Sequence, residues 1–151
     1  GVKILNNPAP AAFKESVRYA EQNLYARSAQ LIGDRDPRSH EFSIQLRAFD
    51  SAKRGSKLGI AALVAMCSSL LKKSVKGGLI VVGEINLGGS IEPISNAVNI
   101  AELAVEKGAG TLLMPVTARR QLYDLSDDMA TKIDIQFYQD ARDALLKAIV
   151  E

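Results

Sequence analysis

A serine and a lysine stand side by side at Ser56-Lys57, the residue types from which a nucleophile and its base can be built. Neighbours on a helix point about 100° apart, so Lys57 is badly placed to deprotonate Ser56. The alternative interpretation makes Ser56 the N-cap of the long helix that follows. Lys53, Arg54 and Lys57 also form a basic cluster at that helix start, where free backbone N–H groups attract anions. Contact with phosphate or nucleic acid is one interpretation of this cluster, and a solvated group of charges is the other.

Glu84 and Asn86 stand where an apolar run ends, a place where sites are often built. The run, Leu79 to Val82, is rich in β-branched residues and is typical of a strand buried on both faces. Gly88-Gly89 supplies a turn, and Ser90-Ile91-Glu92 resumes an alternating pattern before Pro93, which predicts two tightly joined strands followed by a helix. No partner base or metal ligand is near in sequence, so Glu84 and Glu92 are interpreted as hydrogen-bonding residues of the turn.

The histidine, the cysteine and the glycine-containing loops of the sequence do not indicate a further functional site. His40 is the only histidine and lies in a polar loop, so we expect a surface residue and no metal site. Cys67 lies in an apolar helical segment, where a buried structural thiol is usual. The sequence has no Walker-type phosphate loop, so we do not expect this stretch itself to bind ATP.

Length and composition set broad bounds. A chain of 151 residues with 24% charged and 47% apolar residues is typical of one globular domain. A net charge of +2 is too small to indicate a polyanionic partner, and the absence of tryptophan argues against stacking on single-stranded bases. One cysteine suits a reducing cytoplasm, and we expect no membrane segment. Because Gly1 is not preceded by methionine, we expect a fragment of a longer chain.

Hydrophobic periodicity predicts helices interleaved with strands, in an α/β (α+β) arrangement. The predicted helices cover residues 11–32, 57–73, 95–107, 117–122 and 127–131, with a last helix capped by Asp140, and the predicted strands cover residues 2–5, 42–46, 79–82, 90–92, 111–114 and 133–137.

Several motifs fall into one register and resemble a known family. They are Phe13-Lys14-Glu15-Ser16, Gly55, Gly59, Gly83-Glu84-Ile85, Pro93, and Gly108 before Leu112-Leu113-Met114-Pro115. Together they resemble the proteolytic domain of ATP-dependent Lon proteases, and more closely the Lon-like subunit of bacteriophage-exclusion (BREX) defence systems. The resemblance implies the Lon proteolytic-domain fold, which is itself similar to the second domain of ribosomal protein S5.

The resemblance also implies where an active site belongs. Lon proteases use a Ser–Lys dyad, in which a lysine with a lowered pKa takes the proton from the serine hydroxyl. In the ungapped register Lys57 falls at the serine position and Ile100 at the lysine position, while Arg54 and Val82 replace an acidic residue and a threonine. An isoleucine cannot accept a proton, so we expect a degenerate dyad. The alternative is an active peptidase with Ser56 as nucleophile, which requires the loop to shift by one residue.

Further expectations follow from the resemblance alone. It implies an AAA+ module in the same chain that carries ATP and Mg²⁺, and a homo-oligomeric, hexameric ring in the cytoplasm. The domain would then serve in assembly of a phage-defence ring, with DNA as a candidate partner through the basic cluster.

Overall fold

The computed structural model describes residues 1–4, 11–39, 41–44 and 58–150. Within these ranges the helices are α1 (Ala11–Ala26), α2 (Ser28–Ile32), α3 (Gly59–Leu71), α4 (Ala97–Glu106), α5 (Asp127–Ala130) and α6 (Ala141–Ala148). The strands are β1 (Val2–Ile4), β2 (Phe42–Ile44), β3 (Leu79–Val81), β4 (Glu84–Ile85), β5 (Ile91–Glu92), β6 (Thr111–Pro115) and β7 (Asp134–Tyr138). Pro37–Ser39 and Val116–Asp124 form 3-10 helices. This mixture of helices with parallel strands confirms the predicted α/β class.

The main sheet has three parallel strands in the order β3-β6-β7. The central strand β6 carries Leu112, Leu113 and Met114, which are all fully buried. A continuous apolar run is what a parallel strand covered on both faces requires. Two smaller pairs complete the described strands: β1 lies parallel to β2, and β4 and β5 form an antiparallel hairpin.

The apolar run at Leu79 was predicted to lead into a second strand, but the structure divides this region into three strands. Gly83 separates β3 from β4 with a φ of +148°, a conformation that favours glycine. A Cβ at Gly83 would also overlap the hydroxyl of Tyr138. The chain therefore turns at Gly83, and the tight hairpin joins β4 to β5.

Buried apolar side chains form two cores, which lie on opposite faces of the sheet because successive strand residues point in opposite directions. Val81 and Leu113 belong to one core, and Val82 and Leu112 belong to the other. We call the first the α3 core, because α3 packs there between α1 and α6. The second is the α4 core, whose buried members are Val82, Ile94, Ala97, Ile100, Ala101, Ala104, Leu112, Met114, Ala118 and Ile133.

Three helix predictions need correction. The first helix is broken at Arg27, whose guanidinium bonds Asn23 and the distant carbonyl of Gly88. The segment predicted as a helix over residues 117–122 is a 3-10 helix that begins at Val116. The helix after Pro93 begins at Ala97 after Asn96, which has no side-chain capping bond. By contrast, Asp140 caps α6 as predicted, since its carboxylate accepts from the Asp143 N–H at 2.8 Å.

In the part of the chain that the structure describes, no helix combines the length and apolar character needed to cross a bilayer.

Candidate active site

The structure places only one of the five site residues singled out in the sequence. Lys53, Arg54, Ser56 and Lys57 lie outside the described residues, as does His40. The structure does correct one related prediction, because α3 begins at Gly59 and its N-cap position is Leu58 rather than Ser56.

Ile100 lies on α4 and points into the α4 core, where its side chain is 5% exposed. Its backbone N–H donates to the Asn96 carbonyl at 3.0 Å, so it stands in the first turn of the helix. Its neighbours in this core are all apolar. Position 100, where the resemblance leads us to expect the family's lysine, is a packed hydrophobic position.

A glutamine from another element holds the start of α4 in place. The Gln121 amide oxygen accepts from the Ala97 N–H at 3.0 Å, and its amide nitrogen donates to the Ile94 carbonyl at 2.7 Å. This long-range cap takes the place of a local cap by Asn96, which adopts a left-handed conformation with φ at 61° and makes no side-chain capping bond.

On the opposite face of the sheet, the beginning of α3 meets the carboxylate of Glu84. The Ile60 N–H donates to the Gly83 carbonyl at 3.1 Å, which satisfies one of the free donors at the helix start. A Cβ at Gly59 would overlap Glu84 Oε1. Glycine at position 59 is thus what allows this carboxylate to lie against the helix start.

The half-buried Glu84 forms a polar pair with the buried Ser16 of α1. The Ser16 hydroxyl donates to Glu84 Oε2 in a short hydrogen bond, and the Ile85 N–H donates to Glu84 Oε1 at 3.0 Å. Burial raises the pKa of the Glu84 carboxyl, and these two hydrogen bonds oppose that shift. The pair lines a cavity of about 200 Å³ together with Ala12, Glu15 and Tyr19.

Sequence reasoning treated Glu84 as a turn residue and did not assign Ser16 to the site. The structure corrects this, because Glu84 bonds the first helix across 68 positions of sequence. The signal was present in the motifs: Glu84 belongs to Gly83-Glu84-Ile85 and Ser16 to Phe13-Lys14-Glu15-Ser16. Glu92 does bond the turn, since its carboxylate accepts from the Asn86 amide at 3.4 Å.

The described residues offer few other reactive groups. Cys67 is buried, as predicted, and burial raises the pKa of its thiol to about 12, which disfavours the reactive thiolate. Tyr138 is fully buried and donates its hydroxyl to the Val82 carbonyl at 2.8 Å. None of the lysines in the described ranges is buried, whereas a lysine base needs an apolar setting to lower its pKa. Those ranges hold no cluster of three or more potential metal ligands.

The chain is similar in sequence to a known protein family and to several known proteins. The family model described as "Lon protease (S16) C-terminal proteolytic domain" matches residues 10–151. The chain is 29% identical over 144 residues to "Lon-like protease BrxL" of Escherichia coli O9:H4 (strain HS), covering 95% of this chain and 20% of that protein. The protein of the same name from Bacillus cereus (strain H3081.97) is 26% identical, with 90% and 20% covered. "Lon protease" of Lawsonia intracellularis (strain PHE/MN1-00) is 26% identical, with 89% and 16% covered.

Proposed function

Because the chain belongs to the Lon protease (S16) C-terminal proteolytic-domain family, we propose that it is a Lon-like domain that has lost the family's Ser–Lys dyad. In this proposal the domain does not hydrolyse peptides by the family mechanism. Its role is the assembly and packing of a ring of AAA+ subunits.

The observation that carries this proposal is the setting of Ile100. A lysine base must exchange a proton with a nucleophile, so it needs a basic nitrogen and a path to the reacting group. Ile100 supplies neither, since it is packed among apolar side chains in the α4 core. In the same register Lys57 takes the place of the nucleophilic serine. Loss of both groups removes the dyad, whereas loss of one alone could be bypassed.

The lengths of the relatives support the presence of further domains beside this one. The chain spans about a fifth of the BrxL proteins that it matches, and both are named as Lon-like proteases. We propose that this domain likewise accompanies an AAA+ module that binds ATP and Mg²⁺. The proposed assembly is a hexameric, cytoplasmic ring that acts in phage defence.

The test of lost proteolysis is hydrolysis of fluorescein-labelled casein by the full-length protein with ATP and Mg²⁺. An active Lon protease serves as the positive control, and the Ser56→Ala variant is measured beside the unchanged protein. We expect no hydrolysis above the protein-free blank in either case. Hydrolysis that Ser56→Ala abolishes would instead establish Ser56 as the nucleophile and would overturn the proposal.

The test of assembly is the sedimentation of the full-length protein with and without this domain. We expect a ring species that is lost when the domain is removed, and an unchanged ring would contradict the role in assembly.

A second variant, Lys53→Ala with Arg54→Ala, tests contact with DNA by fluorescence anisotropy at several salt concentrations. If these residues bind phosphates, the slope of log affinity against log salt should fall by about 2.

A further inference from the structure

A cavity of about 380 Å³ lies between the ends of α1 and α2, the hairpin and the start of α6. This volume is within the range of pockets that bind small ligands, about 300–1,000 Å³. Its apolar wall is formed by Leu31, Leu63 and Ile85, which are buried members of the α3 core. Its polar wall includes two guanidinium groups, from Arg27 and Arg142. The cavity thus pairs an apolar surface with positive charge.

The guanidinium of Arg27 is held in a fixed position. It donates to Asn23 Oδ1 at 2.8 Å and to the Gly88 carbonyl at 2.6 Å. Asn23 is itself buried, and its amide donates to the carbonyls of Tyr19 and Asn86. Arginine has five N–H donors, and these two hydrogen bonds use two of them.

Arg142 faces the same cavity from the first turn of α6. It is exposed and makes no hydrogen bond or ion pair with any residue in the described ranges. Among the described residues, the cavity wall has one acidic group, Asp140, and its carboxylate caps α6 through the Asp143 N–H. The two arginines therefore leave the cavity wall with a net positive charge.

We propose that this cavity binds the C-terminal residue of a peptide. The carboxylate accepts hydrogen bonds from Arg27 and Arg142, because guanidinium groups match the planar geometry of a carboxylate. The residue's apolar side chain packs against Leu31, Leu63 and Ile85, where its removal from water is favourable. A carboxylate attached to an apolar group satisfies both walls at once.

A neighbouring cavity favours a peptide over a small free acid. It measures about 330 Å³ and shares Gly89 and Asp140 with the first. Its other walls include Ser90 and Ile91 at the hairpin and Pro115 to Thr117 at the end of β6. The residues that precede the C-terminus extend into this second space, which a single amino acid would leave unfilled.

This inference does not rest on the proposed function, because binding in this cavity requires neither a nucleophile nor a base. It assigns a chemical class to a ligand: a peptide whose last residue is apolar and whose C-terminal carboxylate is free.

The test uses isothermal titration calorimetry with three probes: acetyl-Ala-Ala-Leu with a free carboxylate, the same peptide as its C-terminal amide, and acetyl-leucine. We expect the free acid to bind at least about tenfold more tightly than the amide, since hydrogen bonds to charged groups are the stronger ones. We also expect it to bind more tightly than acetyl-leucine. Equal binding of the acid and the amide, or no binding of the acid in the millimolar range, would overturn the proposal.

The matched variants are Arg142→Ala and Arg120→Ala. Both side chains are exposed, but only Arg142 lines the cavity, so neither change should disturb folding. Arg142→Ala should weaken binding of the free acid about tenfold and leave the amide unaffected. Arg120→Ala should change neither. If both variants weaken binding of the free-acid peptide equally, the overall positive charge of the surface explains the binding. The cavity is then not the binding site. If acetyl-leucine binds as tightly as the peptide, the ligand is a small acid and the peptide proposal fails.

Discussion

The two cores on either side of the sheet differ in one respect that bears on function. In the described part of the chain, the buried polar side chains are Ser16 and Asn23, and both lie on α1 beside the α3 core. Both bond the hairpin region, Ser16 through Glu84 and Asn23 through the Asn86 carbonyl. Among the described residues, no buried polar side chain lies at the α4 core. In the described residues, one face of the sheet therefore carries a hydrogen-bonded polar network, and the other is packed with apolar side chains.

This difference bears on our proposal that the dyad is absent from an otherwise intact fold. A buried polar network must be satisfied in full, because an unpaired group in a low-dielectric interior is costly. An apolar core needs only the right volume. Ile100 is packed in the α4 core and carries no charge that its surroundings must accommodate. The α3 face still holds Glu84 against the helix start, next to Gly59.

The largest expected effect comes from Ile100→Lys, which tests whether the α4 core is dry. An ammonium placed among apolar side chains should cost more than about 4 kcal/mol of unfolding free energy near neutral pH. Burial lowers the lysine pKa in the folded state, so the unfolded state binds more protons and stability should rise with pH. Urea unfolding between pH 7 and 10 measures both effects.

Ile100→Met is the matched control, because it keeps the volume and apolar character and should cost less than about 1.5 kcal/mol. If Ile100→Lys costs no more than the methionine variant, position 100 opens on water or on a polar cleft. The contrast between the two cores would then be wrong.

Gly59→Ala tests the contact between the start of α3 and Glu84. The added methyl would overlap Glu84 Oε1, and overpacking of this kind typically costs about 1–3 kcal/mol. Gly77→Ala is the control, because a Cβ there would meet no atom within 4 Å. The double variant Gly59→Ala with Glu84→Ala should recover part of the loss, since the two changes act on one contact. If the losses of unfolding free energy from the two single changes simply add in the double variant, the Glu84 carboxylate does not contact position 59.

Glu84→Gln tests the raised pKa of this carboxyl. A folded pKa above the unfolded value means that the folded state binds the proton more tightly. Its contribution to stability is thus fully present below the unfolded pKa, about 4.3, and is lost as pH rises through the folded pKa. The unfolding free energy of the unchanged protein minus that of Glu84→Gln should therefore fall with rising pH from about 4 upward. A difference that stays flat, or that grows with pH, would show that Glu84 is not desolvated.

Much of the fold follows from local pattern, and much of the site does not. The buried strand at Leu79, the all-round apolar helix around Leu63 and the Asp140 cap are signalled by neighbouring residues, and the structure contains all three. The break at Arg27 and the pairing of Ser16 with Glu84 depend on bonds that span 61 and 68 positions. Periodicity within one segment carries no information on contacts between distant segments. For the pairing of Ser16 with Glu84, the one signal in the sequence was that both residues belong to motifs of the same family resemblance.

The smallest expected effect concerns Gln121, the long-range cap of the α4 face. Replacing it with alanine removes hydrogen bonds to the Ala97 N–H and the Ile94 carbonyl, so the loss should be about 1 kcal/mol, as for a local N-cap. Arg120→Ala on the same 3-10 helix controls for any change in that segment. A loss that matches the control would mean that water replaces the glutamine at no cost. A loss of the expected size would mean that Gln121 helps to hold α4 on the apolar face. Both faces of the sheet would then use polar side chains, although the α3 face uses more of them.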